Sequence, residues 1–171
     1  MNGKRKTITI LFASVLVVLF VVIAMINIFG KKEYVVGKDI KADDITEFYD
    51  TYYNMNFNAL YQRYYFYVKD GKHYFYHEKR ERKNDYCPLD EKDITESGTI
   101  ELSDEEWDTF FEYIKDGTVI AREESADTGD SGPWYYLYWN KDKGNIQQFS
   151  FVSYEKKNEF EQFCRSLKGN S

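Results

Sequence analysis

The residue types in this chain that bear on metal or redox chemistry are two histidines, two cysteines and a small group of carboxylates. His73 and His77 stand four apart. On a helix they would share a face and a metal; on a strand they lie roughly 13 Å apart, too far for one zinc ion, which needs both nitrogens at about 2.1 Å. Their surroundings read as strand, so the expectation is no metal site. Glu123, Glu124, Asp127 and Asp130 supply oxygen ligands of the kind calcium takes, but without the spacing of a helix–loop–helix calcium site. Cys87 and Cys164 are the only cysteines. A bridge between them would close a long loop and stabilise by about 4 kcal/mol on the chain-entropy view. The alternative is a free Cys164 packed as a small hydrophobe on the apolar face of the last helix.

Two short motifs invite a catalytic reading. Gly129-Asp130-Ser131-Gly132-Pro133 resembles the nucleophile motif of trypsin-like serine proteases, short of one glycine, and Asp127-Thr128-Gly129 resembles the D-T-G of aspartic proteases. The first chemistry needs a histidine bonded to the serine and an acid orienting it. Neither His73 nor His77 stands in that family's histidine context. The second lacks a partner copy. Both motifs therefore read as one Gly/Asp-rich loop, Ala126 to Pro133, between strands. No catalytic residue and no cofactor is assigned. Asp127, Asp130, Ser131 and the adjoining Trp134 remain as a candidate binding loop.

The elements that must position these residues come from two unlike parts. Residues 1–30 hold three basic residues and no acidic one, so residues 31–171 carry 20 basic and 29 acidic groups, net −9. That balance excludes a basic nucleic-acid binder. The run Ile8 to Phe29 is uncharged, and 22 helical residues span roughly 33 Å, enough to cross a hydrocarbon core. It is too long for a signal-peptide core and ends without a small-x-small site. The expectation is thus an uncleaved single-pass anchor at the cell membrane: a basic cytoplasmic tail (1–6), a transmembrane helix (7–30), a juxtamembrane linker (31–44), an extracytoplasmic domain (45–168) and a short tail (169–171). Lys31 and Lys32 nearly balance the basic tail, but a long domain translocates largely regardless of charge, so the six-residue tail favours the N-terminus inside.

Within the domain, Leu, Ile, Val and Phe number only 27 of 141 residues, but all 16 Tyr and 3 Trp lie there and supply the area for a packed core. Aromatic content places a strand over Ile45 to Asn56. Leu60 to Val68 and His73 to Glu78 flank Asp70-Gly71, which predicts a hairpin. Lys79 to Ser97 reads as loop. Ser103 and Glu106 form a capping box, with Leu102 and Trp107 in staple positions, ahead of a helix whose Trp107, Phe110, Phe111 and Ile114 share one face and which stops at Gly117. Trp134 to Trp139 and Ile146 to Val152 read as strands. A last helix capped by Ser153 buries Phe160, Phe163, Cys164 and Leu167. The expected class is α+β: an antiparallel, aromatic-rich sheet of about five strands with two amphipathic helices on one face. Strand alternation then leaves Tyr65, Tyr67, Tyr74 and Tyr76 for a second, aromatic face.

Taken together, the basic tail, single apolar run, aromatic hairpins, S-D-E-E-W helix start and closing F-x2-F-C-x2-L helix resemble small membrane-anchored bacterial proteins of unknown function. That resemblance implies no activity. The functional expectation is a tethered, non-enzymatic module that binds a protein or cell-envelope ligand, with a structural subunit of a larger membrane complex as the alternative and a carboxylate-based hydrolase third.

Overall fold

The computed structural model describes residues 18–21, 33–54, 60–82, 89–122, 133–140 and 146–169. The chain divides into two units, Met1–Lys32 and Glu33–Ser171. In the first, residues 18–21 are helical and exposed. Among the described residues no helix is long and apolar enough to cross a membrane. This corrects the expected transmembrane helix, and with it the single-pass signal anchor and the cell-membrane, extracytoplasmic placement. A crossing takes about 20 consecutive apolar helical residues, and only four of the run Ile8 to Phe29 are described. The rest of that run lies outside the described residues.

The second unit is built on one antiparallel sheet of eight strands, not about five, in the order β1-β6-β8-β7-β2-β3-β4-β5. The strands are β1 (Glu33–Val35), β2 (Ile45–Asn54), β3 (Leu60–Lys69), β4 (Lys72–Glu81), β5 (Ile94–Leu102), β6 (Thr118–Arg122), β7 (Trp134–Trp139) and β8 (Ile146–Ser150). Three lie outside the five expected sheet strands, β1 at the apolar patch Tyr34 to Val36 that read as an extended stretch of linker. β1 lies in the stretch read as linker and pairs with β6. It leads into Val36 and Ile40, both fully buried. β5 pairs with β4; its first four residues, Ile94 to Ser97, fall in the stretch read as loop, and the remainder carried no assignment. It is an edge strand, and its sequence ITESGTIEL spreads polar residues over both faces, hiding its apolar alternation. β6 is short and joins β8.

Local chemistry explains the joints. Asp70 and Gly71 take φ of 53° and 74°, the paired positive values of a two-residue hairpin loop, and Lys69 faces Lys72 across it. β2 carries a bulge: Ile45 pairs with Trp139 and Glu47 with Tyr138, leaving Thr46 as an extra residue. The extra residue changes the parity of the strand. Ile45 thereby turns to the core beside Phe48 while Glu47 points to the opposite face.

Helix α1 (Asp104–Ile114) starts at Ser103, whose hydroxyl accepts from the Glu106 N–H at 3.2 Å while the Ser103 N–H donates to the Glu106 carboxylate at 2.8 Å. Helix α2 (Tyr154–Gly169) follows β8, and the Lys156 N–H donates to the Ser153 hydroxyl at 3.2 Å. Both helices join the same core, over the sheet face formed by Phe48, Phe66, Phe75, Leu137 and Phe149. Ring contacts fix the packing: Phe66 stacks on Phe110 of α1 at 4.2 Å, and Phe48 meets Phe160 of α2 edge-on at 5.4 Å. After α1, Asp116 takes the positive φ of 63°. Gly117 serves a different need, because a Cβ there would lie 2.4 Å from the Phe149 ring and 2.8 Å from the Ser150 carbonyl oxygen.

One row of this inner face is polar. Asp50 pairs with Tyr64 on one side and Tyr135 on the other. Asp50 is only 6% exposed, and burial, reinforced by the Glu161 charge and opposed by Lys157, raises its carboxyl to about 7. The Tyr135 hydroxyl is buried without a hydrogen bond. Cys164 is a free, buried thiol pushed well up by burial.

Candidate functional site

Side chains alternate across a strand, so residues one step from the core positions line the opposite face. On β2 these are Glu47, Tyr49, Thr51 and Tyr53. Strand pairing sets Tyr67 and Tyr138 beside Glu47, Tyr65 and Tyr136 beside Tyr49, and Arg63 and Trp134 beside Thr51. The face away from the helices is therefore made chiefly of tyrosine. The rings order one another. Tyr49 stacks on Tyr65 at 4.3 Å, Tyr65 on Tyr67 at 4.7 Å, and Tyr67 on Tyr74 at 5.2 Å, a ladder crossing from β2 to β4. Tyr138 meets Tyr49 edge-on at 6.1 Å.

A groove of about 770 Å³ opens on this face over β2, walled by Tyr61 and Arg63 of β3 and by Trp134, Tyr136 and Tyr138 of β7. The short Thr51 lies between Arg63 and Trp134 and leaves the floor low at one end. The bulge residue Thr46 and Asn140 close the other. Glu47 lines that second end and accepts a 2.5 Å hydrogen bond from the Tyr49 hydroxyl. Burial, and then this bond, push the Tyr49 phenol above its ordinary value.

Charges on the face are unevenly paired. Beyond the groove, Glu78 is 5% exposed and forms an ion pair with Arg80 while accepting from the Tyr76 hydroxyl. Burial works against its carboxylate, but the bonds from Arg80 and Tyr76 outweigh it and lower its titration. Tyr76 is pushed up to about 12 by burial and the same bond. Glu47 lines the groove, and Arg63 stands opposite Glu78 across the β3–β4 pairing, where its charge adds to that of Arg80 in lowering the Glu78 carboxyl. The Arg63 guanidinium also lies 5.4 Å from the Tyr61 ring centre, and its Nε is buried without a hydrogen bond. The Tyr61 hydroxyl is likewise buried, and burial raises its titration against the neighbouring Arg63 and Arg80 charges.

Tyr65, Tyr67, Tyr74 and Tyr76 stand together on the tyrosine face, beside the groove rather than in it. Trp134 lines it. Asp127, Asp130 and Ser131 lie outside the described residues, as does Cys87. His73 stacks on Trp107 at 4.2 Å, whereas His77 is buried with its Nδ1 3.4 Å from a Glu96 oxygen. Burial lowers the His77 titration, against the pull of Glu96. Among the described residues no group of three or more ligating side chains is placed to hold a metal ion. Sequence reasoning missed Glu47, Tyr49, Arg63, Tyr136 and Tyr138. Alternation alone puts each on a face, but only the pairing of β2 with β7 brings them to one place.

No family model matches the chain, and comparison with curated proteins and with solved structures likewise finds no match.

Proposed function

We propose that this protein is a non-catalytic binding module whose ligand is a protein segment seated in the groove on the tyrosine face. One observation carries the reading: the two sheet faces are finished differently. The inner face is closed by α1 and α2, whereas the outer face ends in a groove of about 770 Å³ with tyrosine and tryptophan walls. A cavity of that size suits a ligand or a few residues of peptide. Tyrosine and tryptophan give large contact area at low entropic loss and are enriched where proteins bind. Among the described residues the groove carries one carboxylate, Glu47, where glycoside hydrolysis uses a pair.

The test is selection of peptides from a displayed library on the immobilised full chain, followed by Tyr136→Ala and Trp134→Ala. Both rings are half-buried on the outer face, so their loss should leave the fold intact while weakening binding at least about tenfold, as for central aromatic contacts. Tyr154→Ala, at a 73% exposed position on the helix side, should change nothing. Selected peptides indifferent to both groove substitutions would overturn the proposal.

A further inference from the structure

The described sheet ends in two edge strands, β1 and β5, and they are finished differently. β1 is three residues long, which leaves little edge to pair with. β5 runs for nine residues and pairs with β4 on one side only. Alternate residues of an antiparallel strand aim their N–H and C=O groups away from the neighbour, so the far side of β5 is a row of backbone donors and acceptors. Among the described residues no backbone group bonds to that row from Glu96 to Leu102. Helix α1 leaves β5 inward, with Trp107 stacked on His73 of β4, and so does not overhang the edge. The usual protections of an edge are missing here. The strand holds no proline and no lysine, and its bulge stands at its start, opposite Lys79 and Arg80. Both of its carboxylates are neutralised within the chain, Glu96 by Lys168 at 2.5 Å and Glu101 by Lys72 at 2.7 Å.

The strand is also matched to itself. Opposite residues of an antiparallel pair share a sheet face, and like charges set opposite each other destabilise. With a two-fold axis through Gly98, Ile94 faces Leu102, Thr95 faces Glu101, Glu96 faces Ile100 and Ser97 faces Thr99. All nine residues then pair, and no carboxylate meets another. Other registers do worse. An axis through Ser97 sets Glu101 against Asp93, one through Ile100 sets Glu96 against Asp104, and one through Thr99 leaves Ile94 and Thr95 without a partner in the strand.

We propose that β5 pairs with β5 of a second copy of this chain, antiparallel about a two-fold axis through Gly98, joining the two sheets edge to edge. The axis stands perpendicular to the sheet, so the helices of both copies lie on one side and both tyrosine faces on the other. The pairing uses no residue of the groove and stands or falls apart from the peptide proposal.

The experiment is sedimentation velocity of the full chain over a range of concentrations, in which the parent should show a monomer–dimer equilibrium. Ser97 and Thr99 are exposed, so charges there should leave the fold intact, as circular dichroism would verify. Ser97→Lys combined with Thr99→Lys sets two lysine–lysine pairs across the axis and should weaken association at least about tenfold. Ser97→Lys combined with Thr99→Glu sets two lysine–glutamate pairs in the same places and should associate at least as tightly as the parent. Ser97→Glu combined with Thr99→Glu replaces the doubly basic variant if that one fails to fold. A parent chain still monomeric at about 100 μM overturns the proposal. So does association that the like-charge variants leave at parent strength, because the contact then lies elsewhere. Association lost equally in the like-charge and opposite-charge variants overturns it as well, because the register is then not the one through Gly98.

Discussion

At the scale of single residues, the inner-face Asp50 is the most exposed to a change of pH. Its neighbours are Tyr64 and Tyr135 across the strands, with Glu161, Lys157 and Cys164 from α2 acting on the same cluster. Burial raises the folded carboxyl to about 7, whereas an unfolded aspartate titrates near 3.9. The folded chain therefore holds a proton that the unfolded chain has released. By linkage, this group's contribution is fully present below about pH 4 and is lost as pH rises through 7. Asp50→Asn removes that loss. Its stability advantage over the parent chain should grow by about 2–4 kcal/mol between pH 5 and pH 8, measured by urea unfolding at both. A gap that does not change with pH would contradict the assignment. The sequence showed Asp50 as one polar residue among tyrosines. What it could not show is that Tyr64 and Tyr135 flank it under a helix, because that depends on pairing partners far along the chain. The same limit hid Glu47 and Arg63, which are ordinary surface charges until the bulge at Thr46 and the register of β3 place them on one face.

At the scale of elements, those with a local chemical signature were legible. Asp70-Gly71 specifies its own turn, and Ser103 with Glu106 specifies the start of α1 regardless of the rest of the fold. β1 and β5 had no such signature. A three-residue strand is too short for a period, and in β5 Glu96 and Gly98 interrupt the inward row of Ile94, Ile100 and Leu102 that would have announced it. Gly117 was read as a helix stop, but its structural constraint is the close approach of Phe149. Gly117→Ala would force that ring or the Ser150 backbone to move. We expect a loss of about 1–3 kcal/mol, seen as a lower midpoint in thermal unfolding. An unchanged midpoint would mean the β6–β8 contact is looser than the structure has it.

For the whole molecule, the sheet order matters more than the strand count. The boundary expected from sequence, at residue 45, would remove β1 together with the fully buried Val36 and Ile40. A chain beginning at residue 33 should unfold in one cooperative transition by circular dichroism. One beginning at residue 45 should lose about 3 kcal/mol or more, from two apolar side chains and an edge pairing. Equal stability of the two would place β1 outside the cooperative unit. The sequence showed Tyr34 to Val36 as an extended stretch within a linker, but the charged composition around Lys38 and Lys41 conceals that it joins the sheet and leads into two core residues.

The strand order also sets a sequence of events. β2, β3, β4 and β5 form a meander in which every partner is the next strand in the chain, so their pairing closes only short loops. β7 must find β2 across some 85 intervening positions. Long-range pairing of this kind is the slow part of folding. The groove has one wall from each half, Arg63 from the early meander and Tyr136 from the late strand. If the groove binds as proposed, a refolding chain should acquire ligand binding no earlier than the pairing of β7 with β2, so ligand capture would serve as a clock for the final closure of the sheet.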